Sequence, residues 1–190
     1  FINSISQNAA PFILSIYFSP AVVGFYALAL KLLQLPVNLI GDSVKQVFFQ
    51  KAAELHNKGE KLQNYLVKAT AILCGITFIP SIMIFMFGPY IFSLILGDNW
   101  YEAGVYASWM VLWIAFGFMN RPAFATAQVL GFQKYLLYYE IVLLTGRTIA
   151  LIIGSHFFDA LEGIIAYSLT GACFNLLLIL GVIKLSKKWI

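Results

Sequence analysis

Three basic residues stand inside long apolar runs: Lys31, Arg121 and Arg147. A cation in hydrocarbon costs ~2.5–3.5 kcal/mol on insertion scales, so such residues face a protein interior or a wet cavity. Lys31 lies about ten residues from either end of its run. At ~1.5 Å per residue this is ~15 Å from each interface, too deep for the ammonium to reach water along its stem. Its segment carries Lys31, Gln34, Asn38, Asp42 and Lys45, spaced by 3, 4, 4 and 3 residues. That spacing puts all five on one face of a helix, while Leu, Val, Ile and Phe fill the rest. Pro36 beside the stripe predicts a bend or a freed carbonyl. The chemistry offered is anion binding. Arginine grips phosphate or pyrophosphate bidentately, and lysine binds it as a point charge. Lys31, Arg121 and Arg147 outnumber the acids expected at their depth, and such an excess attracts anions and repels cations. Lys31, Arg147, Arg121, Gln34 and Asn38 are therefore the candidate binding residues.

Weaker polar faces recur in the other apolar runs. The first run has Ser4, Asn8, Pro11 and Ser15, with Asn3 and Gln7 nearby. The third has Thr70, Cys74, Thr77 and Ser81, and the sixth has Ser168, Gly171 and Asn175. Small and weakly polar residues at helical spacing usually pack helices together, which accounts for the third and sixth. The fourth carries Gly117, Arg121 and Gln128, with Pro122 next to the arginine. The fifth carries Glu140 and Arg147. Seven residues separate that pair, ~10 Å along a helix, so contact would need a third group. Arg121 and Glu140 sit near the end of their runs, where partial snorkelling to the interface is an alternative to function.

Catalytic chemistry is poorly represented. His56 has no partner pattern, and His156 has only Asp159 three residues on, as in an ordinary solvated turn. Cys74 and Cys173 lie in apolar runs without metal-ligand spacing, and read as small buried packing residues. No acid–base constellation, metal site or cofactor motif is visible, so the chain is expected not to be an enzyme.

The elements that must position these residues follow from composition. The 190 residues are 61% hydrophobic and only 11% charged, with a mean hydropathy of +0.86. Soluble domains average roughly 45–50% apolar and ~25% charged residues. Backbone in lipid must bond to itself, and long continuous apolar runs select helices over barrel strands. Six transmembrane helices are expected, at about 1–18, 21–44, 66–87, 104–128, 135–154 and 161–185, in an all-α membrane protein. Ser19-Pro20 separates the first two. Gly88-Pro89 is expected to end the third, leaving Tyr90–Leu96 as a short apolar piece within a connection over 88–103. The polar stretch over 45–64 is expected as an ordinary loop, with a helix continuing beyond the membrane or lying on its surface as the alternative. Phe1 falls inside an apolar stretch with no basic region or cleavage site, which is not a signal peptide. A chain lacking an upstream portion is the expectation.

The remaining nine basic residues sort by topology. Lys45, Lys51, Lys58, Lys61, Lys68, Lys134, Lys184, Lys187 and Lys188 all fall at one set of ends. The opposite ends hold Asp98, Glu102, Asp159 and Glu162, without Lys or Arg. By the positive-inside rule the Lys-rich ends are cytoplasmic, as are both termini. This accounts for the pI near 9.0 without nucleic acid.

Two stretches carry a family resemblance. GFYALALKLLQLPVNLIGDSVKQVFFQKAAE (24–54) and FGPYIFSLILGDNWYEAGVYA (87–107) resemble signatures of bacterial oligosaccharide flippases, the Wzx-like polysaccharide transporters of the MATE-like superfamily. Their order and spacing match that family's C-terminal half. The resemblance implies a six-helix lobe of a two-lobe transporter, with an N-terminal six-helix lobe on the same full-length protein. It implies alternating-access transport of undecaprenyl-pyrophosphate-linked oligosaccharide across the bacterial inner membrane, for O-antigen, capsule or exopolysaccharide. It also places Lys31 and, less closely, Arg147 at positions where that family often has a basic residue. A cation-coupled multidrug exporter of the same superfamily is the alternative, and a membrane enzyme of polysaccharide assembly is a more distant one.

Overall fold

The computed structural model describes the backbone of residues 2–187 and the side chains of residues 9–187. Phe1, Lys188 and the side chains of Asn3, Ser4, Gln7 and Asn8 lie outside the described residues. Every regular element described is helical: α1 (Ile2–Tyr17), α2 (Pro20–Asn57), α3 (Leu62–Leu96), a 3₁₀ turn (Asp98–Trp100), α4 (Tyr101–Met119), α5 (Arg121–Val129), α6 (Gln133–Phe157) and α7 (Ala160–Ser186). Five stretches are long and apolar enough to cross a membrane: α2, α3, Asp98–Val129, α6 and α7. With the shorter α1 they reproduce the expected order of apolar segments, and the chain is an all-α membrane protein. Its outer faces carry large apolar side chains, such as Leu39 and Leu94 at 78% and 88% exposure, as a surface solvated by lipid requires.

The connections depart from the sequence reading in two places. The polar stretch over 45–64 is not a loop: α2 runs unbroken to Asn57 and α3 begins at Leu62. At ~1.5 Å per residue α2 is ~57 Å long, against a hydrocarbon core of ~30 Å. Its last turns stand outside the membrane as a helix, because Lys, Glu, Gln and Ala are strong helix formers. Ala52 and Leu62 are buried there against Leu130, beside Phe132 and Leu55. Gly59 (φ 69°) ends α2 and Gly131 (φ 79°) ends α5. In each case the residue after the glycine donates its N–H back to a carbonyl five residues earlier, Glu60 to Leu55 and Phe132 to Ala127, both at 2.9 Å. This is the Schellman closure, for which glycine is the natural residue. On the exposed end of α2, Glu54 accepts from Lys51 at 2.8 Å and Lys58 at 2.6 Å. Hydrogen bonds from Lys51 and then Lys58 hold its carboxyl down at about 2.

The second departure is at Gly88-Pro89. Helix α3 passes through both residues and stops only at Leu96, so Tyr90–Leu96 is no separate piece and the connection shrinks to four residues. Here α3 crosses α4 almost backbone to backbone. A Cβ on Gly104 would sit 2.5 Å from Gly88 O and from Pro89 Cα. The hydroxyl of Ser108 donates across the crossing to Ile84 O at 3.0 Å. A side-chain donor from the neighbouring helix thus supports the backbone near the proline, which lets a helix survive it in lipid.

Helix α4 is the hub. Most of its length is buried, including Tyr106, Met110, Trp113, Ile114 and Phe118, and it packs against α2, α3 and α7. The expected fourth segment is broken at Asn120, where α4 gives way to α5. Pro122 lacks the N–H that would continue the ladder. The two Schellman turns share one buried cluster, so the α2–α3 and α5–α6 connections lie together. At the other end Phe25 of α2 meets Trp100 at 5.9 Å between ring centroids, and Tyr17 of α1 meets His156 of α6 at 6.2 Å. The Lys-rich and acidic connections are therefore on opposite ends, as the charge sorting requires. Cys74 and Cys173 are both exposed. They belong to the outer faces and not to the core as expected: the polar face of α3 does not turn wholly inward, and Cys173 lies off the buried Ser168–Gly171–Asn175 face of α7.

Candidate functional site

The sequence-selected polar residues converge on one cavity of about 450 Å³ between α2, α4, α5, α6 and α7. Helix α2 contributes Gln34, Asn38, Asp42 and Lys45; α5 contributes Arg121; α6 contributes Tyr139, Glu140 and Arg147. Asn120, Trp113 and Asn175 complete the polar wall. Four of the five candidates, Gln34, Asn38, Arg121 and Arg147, are thus brought together. Lys31 is not. It is exposed on α2, one turn beyond Gln34, and outside the cavity wall. The charge reading changes accordingly. The cations of the cavity are Lys45, Arg121 and Arg147, and two carboxylates, Asp42 and Glu140, share it. The excess of positive charge is one, smaller than the sequence suggested, because α2 and α6 bring their acids in on the same faces as their cations.

Arg121 is committed to a partner. Its Nη1 lies 3.2 Å from Asp42 Oδ1. Gly41 makes room for this, since a Cβ there would come within 2.4 Å of the guanidinium carbon. Asp42 is 80% exposed, which limits such a pair to about 0–1 kcal/mol. Arg121 can therefore leave Asp42 for a competing anion at small cost.

Arg147 is held differently. Only 3% of it is exposed, and it makes no ion pair with Glu140 or with any other described acid. Its guanidinium carbon lies 4.0 Å from the Trp113 ring centroid and 3.8 Å from that of Tyr167. Gly171 leaves the space, because a Cβ there would press to 3.0 Å on both Arg147 Nε and Trp113 Cβ. The two rings fix the plane of the guanidinium by cation–π contact. Nε and Nη2 remain without any hydrogen-bond partner. A buried charge with unused donors is costly, and a membrane interior raises that cost. Counting ~1.5 Å per residue from the start of α6, Arg147 lies ~21 Å in, and Glu140 only ~10 Å. The cavity thus runs from the Lys-rich end towards mid-membrane, with Arg147 at its inner wall.

Between these arginines lies an amide network. Asn120 Nδ2 donates to Asn175 Oδ1 at 2.9 Å, and the Tyr139 hydroxyl donates to the same oxygen at 3.3 Å. Asn175 Nδ2 in turn donates to Gly171 O at 2.8 Å. The network ties the α4–α5 break to α6 and α7. Replacing Asn175 with leucine should lower stability by about 1–2 kcal/mol, since Asn120 and Tyr139 both lose a buried partner. Adding Asn120→Leu should recover part of that loss, as measured by thermal unfolding in detergent.

The sequence pointed to Asn175 only as a packing residue, and missed Asn120, Tyr139, Trp113 and Tyr167. The signal available was position: Asn120 precedes Arg121-Pro122, and Asn175 lies one turn from Gly171. The expected polar face of α3 contributes nothing to the cavity. Thr77 donates to Leu73 O on its own helix at 2.8 Å, the local bonding common for helical threonine.

Residues 1–105 match the model of a family described as polysaccharide biosynthesis protein. That segment contains the α2 wall of the cavity and the Gly88–Gly104 crossing, and ends before Arg121 and Arg147. No curated protein and no solved structure matches the chain. With more than half of its length matched, this membrane-spanning chain belongs to the polysaccharide biosynthesis protein family.

Proposed function

We propose that the chain is one six-helix lobe of a MATE-like, two-lobe flippase that moves undecaprenyl-pyrophosphate-linked oligosaccharide across the bacterial inner membrane by alternating access. It makes and breaks no bond. The Lys-rich ends are cytoplasmic, and the partner lobe is an N-terminal six-helix unit of the same full-length protein. The observation that carries this reading is Arg147, buried at the cavity wall with Nε and Nη2 unpartnered. The head-group phosphates accept from those donors. Arg121 exchanges Asp42 for the second phosphate, and Gln34 and Asn38 meet the sugar. Lys31 is exposed and outside this cavity, and takes no part in holding the head group there. Family membership supports a role in polysaccharide assembly.

The test is reconstitution of the full-length protein in liposomes with a lipid-linked oligosaccharide, following the sugar's access to an external lectin. Protein-dependent translocation is the expected result. A folded protein that moves no lipid-linked sugar overturns the flippase reading, and release of a sugar product would replace it with an enzyme. One observation favours a second reading, a cation-coupled exporter: Asp42 and Glu140 both line the cavity. Drug hypersensitivity of a deletion strain with unchanged surface polysaccharide would select it.

A further inference from the structure

Beside the polar cavity, between α6, α7 and the end of α5, lies a second recess of about 310 Å³. Its wall is almost wholly apolar, formed by Phe132, Leu136, Phe174, Leu178, Val182 and Leu185. Gly181 of α7 lies on its wall, and a Cβ added there would meet nothing within 4 Å. Tyr139 belongs to both chambers. Its hydroxyl is bonded to Asn175 on the polar side, and its ring separates the two. A chamber with unused charged donors and an almost wholly apolar one thus stand one side chain apart, near the Lys-rich end.

That pairing fits an amphiphile with an anionic head and a hydrocarbon chain. We propose that the α6–α7 recess holds the head-proximal part of the cargo's isoprenoid chain while its pyrophosphate occupies the polar cavity. The proposal rests on the head-group reading given above. Bulk phospholipid is the weaker occupant for a physical reason. An acyl chain gains little from an apolar recess when the bilayer already surrounds it with hydrocarbon. A chain tethered to an anion in the cavity is instead held at the recess by its own head, and the two contacts reinforce each other. Tyr139 stands where head and chain join, so the recess gives a prenyl pyrophosphate an advantage over the free anion.

The experiment uses the full-length protein in detergent and two probes, undecaprenyl pyrophosphate and inorganic pyrophosphate. Gly181→Trp fills the recess from open space, and the change away from glycine favours the helix. It is expected to weaken undecaprenyl pyrophosphate by about tenfold and to leave inorganic pyrophosphate within about twofold. Gly181→Ala, too small to fill the recess, is expected to bind both as the unaltered protein does. Equal binding of undecaprenyl pyrophosphate by the tryptophan variant overturns the proposal, as does an equal loss for both probes. Unaltered protein that binds inorganic pyrophosphate, but the prenylated form no more tightly, overturns the recess alone. If it binds neither probe, the head-group reading falls and takes the recess with it. In nanodiscs, a photoreactive side chain at position 181 should label the prenyl chain. Labelling of phospholipid under saturating undecaprenyl pyrophosphate would also overturn the proposal.

Discussion

Replacing Arg147 with methionine should reduce translocation of lipid-linked sugar by about ten- to a hundredfold while leaving thermal stability unchanged or raised. The drop corresponds to losing one hydrogen bond to a charged group, ~1.5–3 kcal/mol. The stability forecast has the opposite sign from the usual one for a buried residue. Arg147 receives two cation–π contacts, from Trp113 and Tyr167, worth roughly 0.5–2 kcal/mol each. Against them stand two unpartnered buried nitrogens, Nε and Nη2, each costing ~1–3 kcal/mol. Methionine fills the slot between the rings, keeps favourable sulfur–aromatic contacts and buries no charge. A side chain that served only the fold would lose stability and transport together, so the split between the two measurements carries the test. Lysine should recover little transport: it keeps the charge but loses the flat fork that the two rings orient. A lysine variant as active as the unaltered protein would mean that charge alone suffices and that the aromatic clamp is incidental.

Periodicity made the α2 stripe legible because every residue on it obeys one helical repeat, whatever its neighbours do. The same logic found Arg147 and Arg121 as cations without a topological excuse. It could not tell which stripe residues reach the cavity. Lys31 and Gln34 are one turn apart on the same face, yet only Gln34 lines it. That difference is set by where α4 and α5 cross α2. Nor could it foresee that Arg121 would turn to Asp42, because the bond depends on the bare backbone at Gly41. The reading of Pro89 as a terminator failed for a related reason. Local rules end a helix at Gly-Pro, but a close crossing with α4 and a donor from Ser108 override them. Asn120 and Asn175 are 55 residues apart, and nothing in a single sequence announces that two amides so separated will meet.

The largest effect on stability is expected from one methyl group, Gly104→Ala. An added Cβ would stand 2.5 Å from Gly88 O and Pro89 Cα, and 2.8 Å from Gly88 C. All three are backbone atoms, which cannot rotate aside as a side chain would, so α3 and α4 must separate. Overpacking of this kind costs about 1–3 kcal/mol. Separation also stretches the bond from Ser108 to Ile84 O, adding up to about 1 kcal/mol. The comparison that isolates the cause is Gly75→Ala, where a Cβ meets nothing within 4 Å. There alanine should stabilise, by up to about 1 kcal/mol from helix propensity alone. Gly41→Ala tests the intermediate case. Its Cβ would strike the guanidinium of Arg121, a flexible group able to swing away, so stability should change little while the Asp42 pair is lost. Thermal unfolding in detergent should therefore rank the three as Gly75→Ala highest, Gly41→Ala near the unaltered protein and Gly104→Ala lowest. A Gly104→Ala variant as stable as the unaltered protein would show that α3 and α4 do not touch here. Trp113, which clamps Arg147, rides on that same α4, so the separation that destabilises the fold should also loosen the arginine from its place.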